Sequence, residues 1–512
     1  MNMNYELASD ALASVRLQPT SSGLWRRLCF LVNALEADQK SSLCDQMASL
    51  EFLNSDASWL RCGALAYLTR NPVWFVQQSA IANTDTTTDA VMNLLGLVGY
   101  HALARTSDLD AFTQFLRGIN APRLQRLVAQ RLPLVRAPRR VVGAGLRVAI
   151  YTPRVTNSLH GGTTFTLNAM NVLAKLGVET RVFTAQESTI PAANHHRGGL
   201  EASALFVVEP GSLVLNVKAN VQIVLADGNF SLRFRFEQML AEIQAYQPDL
   251  VIFVGFMSPL VYRLYEDYPV LGLSLHALPP IAPVDVWLSA DPQGNAALWQ
   301  DLPVPQLVHY PYRFWPKGPA VPVDRALLQI PKSAVVLITT GHRLGTEMPL
   351  PWRSRMLAFM ETHRNVHWLL LGVAKETALE GLPVHVRIHS LAPQLGLPAW
   401  IAACDVYVNP PRVGGGGTVA MAMEQGLAVL TMAGADGGDK VGALAVATEE
   451  AYFEQLSTWV CNAAARQQAG AALKAQFHAR LDVSSTPAQD GLMQACHAAI
   501  ASFNQRTGHN HA

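Results

Sequence analysis

From about residue 5 to 135, apolar residues recur every three to four positions with charged and polar residues between them. "LWRRLCFLVNAL", "LCDQMASLEFL", "AVMNLLGLVGYHALA" and "LDAFTQFLRGI" show it best. That spacing predicts amphipathic helices, each with one face to bury. No strand pattern interrupts them, and no repeat of the tetratricopeptide kind is present. Residues 1–140 are therefore expected to form an all-helical domain, closed by the linker-like "RLPLVRAPRRVVGAG" with its prolines, arginines and glycines.

The pattern then changes to short apolar, β-branched runs alternating with helical ones. "LRVAIYTP" leads through "NSLHGGTTFTLNAMNVLAKLGVETRVFTA" as strand, loop, helix and next strand, a βαβ unit. "VQIVLA", "DLVIFVGF" and "VLGLSLH" read as further strands, the second fed by the helix "RFEQMLAEIQAYQP". A second set follows: strands "AVVLITTG", "VHWLLLGV", "VHVRIHS", "VYVNP" and "LAVLTMAG", and helices "WRSRMLAFMETH", "LPAWIAAC" and "TVAMAMEQG". The expected fold is α/β: two Rossmann-like domains, 141–315 and 316–512, facing a cleft and preceded by the helical domain. "HYPYRFWPKGPAVPVDR" bridges them, and the helical "YFEQLSTWVCNAAARQQAGAALKAQFHARL" lies near the end.

Composition narrows the function. Half of the 512 residues are hydrophobic, enough for large packed cores. The net charge of +1 and the absence of a long basic run argue against a sequence-independent grip on nucleic acid. The six cysteines are scattered without metal-ligand spacing, which implies neither a zinc site nor a disulfide framework. No uncharged apolar run approaches the ~18 residues of a membrane span. A cytoplasmic protein without an integral membrane segment is the expectation.

The chemistry concentrates around "VYVNPPRVGGGGTVAMAMEQGLAVLT". Glycine is costly to order, so Gly414, Gly415, Gly416 and Gly417 between a strand and a helix predict a close backbone approach to a ligand. With Thr418 they would aim free N–H groups and a helix dipole at an anion such as a diphosphate. The run matches neither the dinucleotide fingerprint nor the phosphate loop of ATPases. "SLHGGTTFT" repeats the arrangement after the first strand: His160, Gly161, Gly162 and Thr163 can bring backbone and imidazole close to the same phosphates or to a second substrate across the cleft.

The stretch "VHVRIHSLAPQLGLPAWIAACDVYVNPPRVGGGGTVAMAMEQGLAVLTMAGADGGDKVGAL" resembles the nucleotide-binding half of B-type (GT-B) glycosyltransferases. The likeness is to the O-GlcNAc transferase branch and to bacterial transferases that glucosylate high-molecular-weight adhesins on asparagine. The matching positions are Cys404-Asp405, Asn409-Pro410, Gly414 to Thr418, Gly426 to Thr431 and Asp439-Lys440-Val441. "VLGLSLHALPPIAPVDVWLSADP" is similar to the family segment bearing a histidine at the catalytic centre, which implies that role for His276. "AVVLITTGHRLGTEMP" resembles the turn that presents a lysine to the donor diphosphate, a place held here by Arg343. The resemblance covers most of residues 145–445.

It implies an inverting transferase that moves a hexose from a UDP-sugar to a protein acceptor, Asn or Ser/Thr, such as an adhesin or other bacterial surface protein. His276 and His160 are then the catalytic candidates. Arg343, His389, Asn409, the glycine loop, Thr418, Glu424, Asp439 and Lys440 are the candidates for the nucleotide-sugar. Loss of a diphosphate from an oxocarbenium-like transition state calls for cations and N–H dipoles, which Arg343, Lys440 and the glycine loop can supply. No acidic cluster points to a metal, so neither metal nor cofactor is expected. One departure stands out: the family's ribose-holding acid aligns with Met421, and Glu424 lies three residues on. Asp285, Tyr151 and Asp227 are further polar candidates. Two alternatives stay open, a transferase of polysaccharide or glycolipid synthesis and a non-catalytic binding subunit of the same fold. Replacing His276 by Ala is expected to abolish transfer and leave UDP binding largely intact; undiminished turnover would remove His276 from the mechanism.

Overall fold

The structure is a computed structural model that describes residues 3–69, 71–105, 109–134, 145–156, 161–187, 222–274, 278–383, 385–392, 396–413, 416–435 and 437–508. Among these, eight helices come first: α1 (Met3–Leu17), α2 (Ser22–Asn33), α3 (Ala37–Ala48), α4 (Ser55–Thr69), α5 (Pro72–Ile81), α6 (Thr88–Arg105), α7 (Leu109–Gly118) and α8 (Ala121–Ala129). The apolar stripes of α1 to α4 close around Trp25, Leu28, Leu43 and Leu65. Those of α5 to α8 merge with the next unit, so that Phe75, Leu116 and Leu124 share one core with Phe236, Phe253 and Leu260.

Polar contacts reinforce that junction. Gln125 donates to the Ile281 carbonyl at 2.7 Å, Arg117 to that of Leu298 at 2.7 Å, and Asp89 accepts from the Leu232 N–H at 3.0 Å. The helical region is therefore fused to the first α/β unit.

That unit comprises β1 (Arg147–Tyr151), α9 (Gly161–Lys175), β2 (Glu179–Thr184), β3 (Ile223–Leu225), α10 (Leu232–Tyr246), β4 (Leu250–Val254), α11 (Pro259–Asp267), β5 (Val270–Leu273), β6 (Val286–Ser289) and β7 (Gln306–His309). Its seven strands are parallel in the order β3-β2-β1-β4-β5-β6-β7. The order reverses beside β1, a topological switch point of the kind that holds ligands at strand C-termini. β6 and β7 were not among the expected strands. β7 has no fully buried residue along its four positions, so it lacks the apolar run that marks the other strands.

The second unit comprises β8 (Val335–Thr340), α12 (Leu344–Glu347), α13 (Leu350–Thr362), β9 (Val366–Leu371), α14 (Lys375–Ala378), β10 (Ile388–Leu391), α15 (Leu397–Ala402), β11 (Val406–Val408), α16 (Gly416–Gln425), β12 (Ala428–Leu430) and α17 (Gly438–Val441). Its five parallel strands run β10-β9-β8-β11-β12. The run "VHVRIHS" pairs only from Ile388 onward, because His385 and Arg387 are spent in a turn.

The last helices are α18 (Glu449–Cys461), α19 (Ala463–Arg480) and α20 (Thr486–Thr507). Asn462 breaks what reads as one helix into α18 and α19 by capping the Ala465 N–H. The chain then crosses back, and α20 packs Leu492, Ala495 and Cys496 against the first sheet. Near its end Arg506 bonds Asp285 at 2.6 Å and lies 3.6 Å from the Tyr265 ring centre. This return segment pairs with the outgoing one: Arg313 and Phe314 donate to the Leu481 carbonyl, and Val483 donates to that of Phe314.

α19 crosses β12 so closely that a Cβ on Gly470 would press into the Gly426 carbonyl oxygen. Gly470→Ala is expected to lower stability by about 3 kcal/mol through overpacking, although helix propensity alone favours Ala by about 1 kcal/mol. Urea unfolding measures it; a gain in stability would show that α19 yields at that contact.

Candidate functional site

The C-terminal ends of β8, β11 and β12 meet in a buried polar knot. Arg412, which follows "NPP", is 1% exposed. Its Nε donates to Asn409 Oδ1 at 3.1 Å, Nη1 to Glu347 Oε2 at 2.9 Å and Nη2 to the Thr340 carbonyl at 2.9 Å. Asn409 in turn donates to Thr431 Oγ1 at 3.1 Å, and its carbonyl accepts from Tyr452 at 3.1 Å. One guanidinium thus ties the end of β8 to that of β11 and, through Asn409, to that of β12. Room for it depends on Gly341, whose φ of +154° has no Cβ where a Cβ would stand 2.8 Å from Arg412 Nη1.

Glu347, also buried, is shared. Its Oε1 takes both Nε and Nη2 of Arg343 at 2.6 Å, while Oε2 takes Arg412. Arg343 is about a quarter exposed, and among the described residues its Nη1 makes no other protein hydrogen bond. Next to it, the His342 imidazole is held below its ordinary pKa by burial and by the Arg343 and Arg412 guanidinia.

α16 starts at this edge. Gly416, Gly417 and Thr418 form its first turn, and Thr418 Oγ1 meets the Tyr407 hydroxyl at 2.6 Å, itself 3.0 Å from Thr340 Oγ1. Asp439 and Lys440 sit in α17, just beyond β12. There the Lys440 ammonium is bound to both Asp439 oxygens at 2.8 and 3.0 Å. A Cβ on Gly437, at the entry to α17, would reach Asn409 Nδ2 and Thr431 Oγ1, so this turn touches the same knot.

The structure thus gathers Arg343, Asn409, Gly416, Gly417, Thr418, Asp439 and Lys440 at one sheet edge. Gly414, Gly415, His160 and His276 lie outside the described residues. Glu424 is placed elsewhere: its Oε1 accepts from the Lys317 and Gly318 amides of the bridging segment at 2.5 and 2.8 Å, with its carboxyl raised in pKa by burial. His389 points along the sheet face to His367, with ring nitrogens 2.9 Å apart, and burial lowers both pKa values. Asp285 precedes β6, at the opposite edge of the first sheet, in its ion pair with Arg506. Asp227 is exposed and turns the chain by accepting from Asn229.

The first sheet presents its own cluster at the switch point. Gly161, Gly162 and Thr163 open α9 after β1, and Thr163 Oγ1 accepts from the Thr156 N–H at 2.9 Å. Nearby, Tyr151 and Ser258 both donate to Glu187 Oε1, at 2.5 and 2.6 Å. Burial raises the Glu187 carboxyl from 4.5 to about 7, against the pull of those hydroxyls and of Arg235. Tyr151 is one of the polar candidates read from the sequence, whereas Glu187, Ser258, Arg412 and Glu347 are not. Only Arg412 left a signal: a charged residue between an apolar strand and a glycine run.

No protein-family model and no curated protein sequence matches the chain. Solved structures do. A mutant O-GlcNAc transferase from Thermobaculum terrenum superposes with a TM-score of 0.60 at 14% identity, over 98% of this chain and 96% of that one. A sucrose-phosphate synthase from Thermosynechococcus elongatus (TM-score 0.46, 14% identity, 71% of this chain and 100% of that one) also matches. So does the lipopolysaccharide outer core galactosyltransferase WaaB (0.46, 12%, 69% and 99%). The fold is that of the B-type glycosyltransferases, two Rossmann-like units behind a helical region. Among the described residues no helix is long and apolar enough to cross a membrane.

Glu187 carries a measurable pH dependence. Its folded-state pKa lies above its ordinary value, so its contribution to stability is complete below about pH 4.5 and is lost as pH rises through about 7. Between urea unfolding at about pH 4.5 and about pH 8, the wild type is expected to lose on the order of 3 kcal/mol relative to Glu187→Gln, which cannot deprotonate. Parallel pH profiles of the two proteins would contradict this.

Proposed function

We propose that the chain is an inverting glycosyltransferase that takes a hexose from a UDP-sugar and passes it to a protein acceptor. The observation that carries this is the edge of the second sheet, where Arg343, the first-turn amides of α16 and the α17 turn surround the knot at Asn409. Arg343 is suited to grip a phosphate oxygen pair bidentately, and the α16 dipole favours negative charge at the same place. These groups offset the charge of a departing diphosphate, so the reaction is proposed to need no metal.

The acceptor side falls to the switch point of the first sheet and to the helical region fused to it. The likeness to an O-GlcNAc transferase extends over that helical region as well, with 98% of this chain covered. This supports a polypeptide acceptor, for which an extended helical surface is the natural reader. A bacterial adhesin or other surface protein is the acceptor we propose.

A second reading, a subunit that binds the nucleotide without transferring sugar, draws on one observation. Glu424, the nearest acid to the ribose-binding position held by Met421, is committed to the bridging segment.

UDP is expected to raise the melting temperature in the presence of a chelator, and one of UDP-glucose, UDP-galactose and UDP-GlcNAc is expected to be hydrolysed slowly. A shift without turnover of any of the three favours the second reading. No shift with UDP overturns both.

A further inference from the structure

Arg343 does not sit at the second sheet's edge unsupported, and its support is unusual in being wholly ionic. Two guanidinia share one carboxylate: Arg343 holds Glu347 Oε1 through Nε and Nη2 at 2.6 Å, and Arg412 holds Oε2 through Nη1 at 2.9 Å. Arg412 and Glu347 are buried, with side chains 1% and 3% exposed, whereas the Arg343 side chain is 24% exposed. The arrangement therefore runs from a fixed interior cation, through a fixed carboxylate, to a cation at the surface of the site.

Arg412 is itself immobilised by Asn409 and by the Thr340 carbonyl, so Glu347 cannot swing without breaking a bond to a group that has no second position to take. Glu347 in turn fixes the guanidinium plane of Arg343 along its Nε–Nη2 edge. The other edge, formed by Nη1 and the second hydrogen of Nη2, is left for an incoming anion. A long side chain otherwise loses rotamer entropy when it grips a ligand, and holding it beforehand removes part of that cost.

We infer that Glu347 and Arg412 are positioning residues for the donor, which hold Arg343 in the orientation that receives the diphosphate. The inference rests on the donor reading above and deepens it. It makes an electrostatic prediction of unexpected sign. Glu347→Gln removes a negative charge beside the site, which by Coulomb attraction alone tightens binding of an anion. If Glu347 acts by holding Arg343, binding weakens instead.

The test is the affinity of the full-length protein for UDP, by calorimetry, in two backgrounds. Glu347→Gln is expected to weaken UDP binding about tenfold in the wild type and by less than about twofold when Arg343→Ala is also present, since the residues act as one unit. Arg412→Lys keeps the charge but loses the fork, and is expected to give a smaller loss that likewise disappears beside Arg343→Ala. It serves as the probe if Glu347→Gln does not fold. Unchanged or tighter binding, or equal losses in both backgrounds, overturns the inference while leaving the donor reading intact. A wild type that takes no UDP overturns the donor reading and this one with it.

Discussion

A guanidinium shut away from water must be answered on every side, and the second α/β unit is organised around one that is. Arg412 bonds to a side-chain amide, a carboxylate and a main-chain carbonyl contributed by the ends of different segments. Breaking such a buried ion pair from one side leaves an uncompensated charge, at a cost of about 3–5 kcal/mol. The three strand ends are therefore held in one register by a polar interaction, at the place where a parallel sheet has no further strand hydrogen bonds to use. The glycine at 341 leaves room for that guanidinium, and the buried Glu347 answers its charge.

The same unit is coupled to the first through α16. Its N-terminal turn carries Thr418 against Tyr407, and its C-terminal turn carries Glu424 and Gln425 against the bridging segment. One ten-residue helix thus joins the glycine loop to the crossing chain. Beside it, the outgoing and returning segments hydrogen-bond to each other between Phe314 and Asp482. The N-terminal contact stays within the second unit, so it is the C-terminal turn of α16 that ties this helix to the bridging segment.

The element order was largely legible in the sequence because helix and strand periods differ sharply and most elements bury a full apolar run. β6 and β7 were not; β7 has no fully buried residue, so no apolar core run marks it. Among the candidates that the structure brings together, Asn409 and the α16 turn carry local strand-end and glycine signals, whereas Arg343 was named only by the resemblance. Glu347 and Arg412 are separated by 65 positions, and nothing in either neighbourhood announces the other. Glu424 illustrates the converse: a plausible helical spacing from Met421, but its carboxylate is claimed by amides more than 100 residues upstream. His389, similarly, reads as a strand-end histidine and is paired across the strand with His367.

Charge counting separates the two cations that the sequence offered for a diphosphate. The Lys440 ammonium is bound by both oxygens of Asp439, which offsets its charge locally. Arg343 also faces a carboxylate, yet that carboxylate already answers Arg412, and the three together carry one net positive charge. The excess cannot reside on Arg412, which is enclosed, so it is expressed at the partly exposed Arg343 beside the α16 turn. On the proposed reading the donor's negative charge is thus drawn to Arg343 and the helix amides, while Lys440 serves chiefly to fix the α17 turn through Asp439. Where the sequence resemblance implies a lysine, this chain has arginine, and the difference makes physical sense here: only a planar fork can bind Glu347 along one edge and still present another to a ligand.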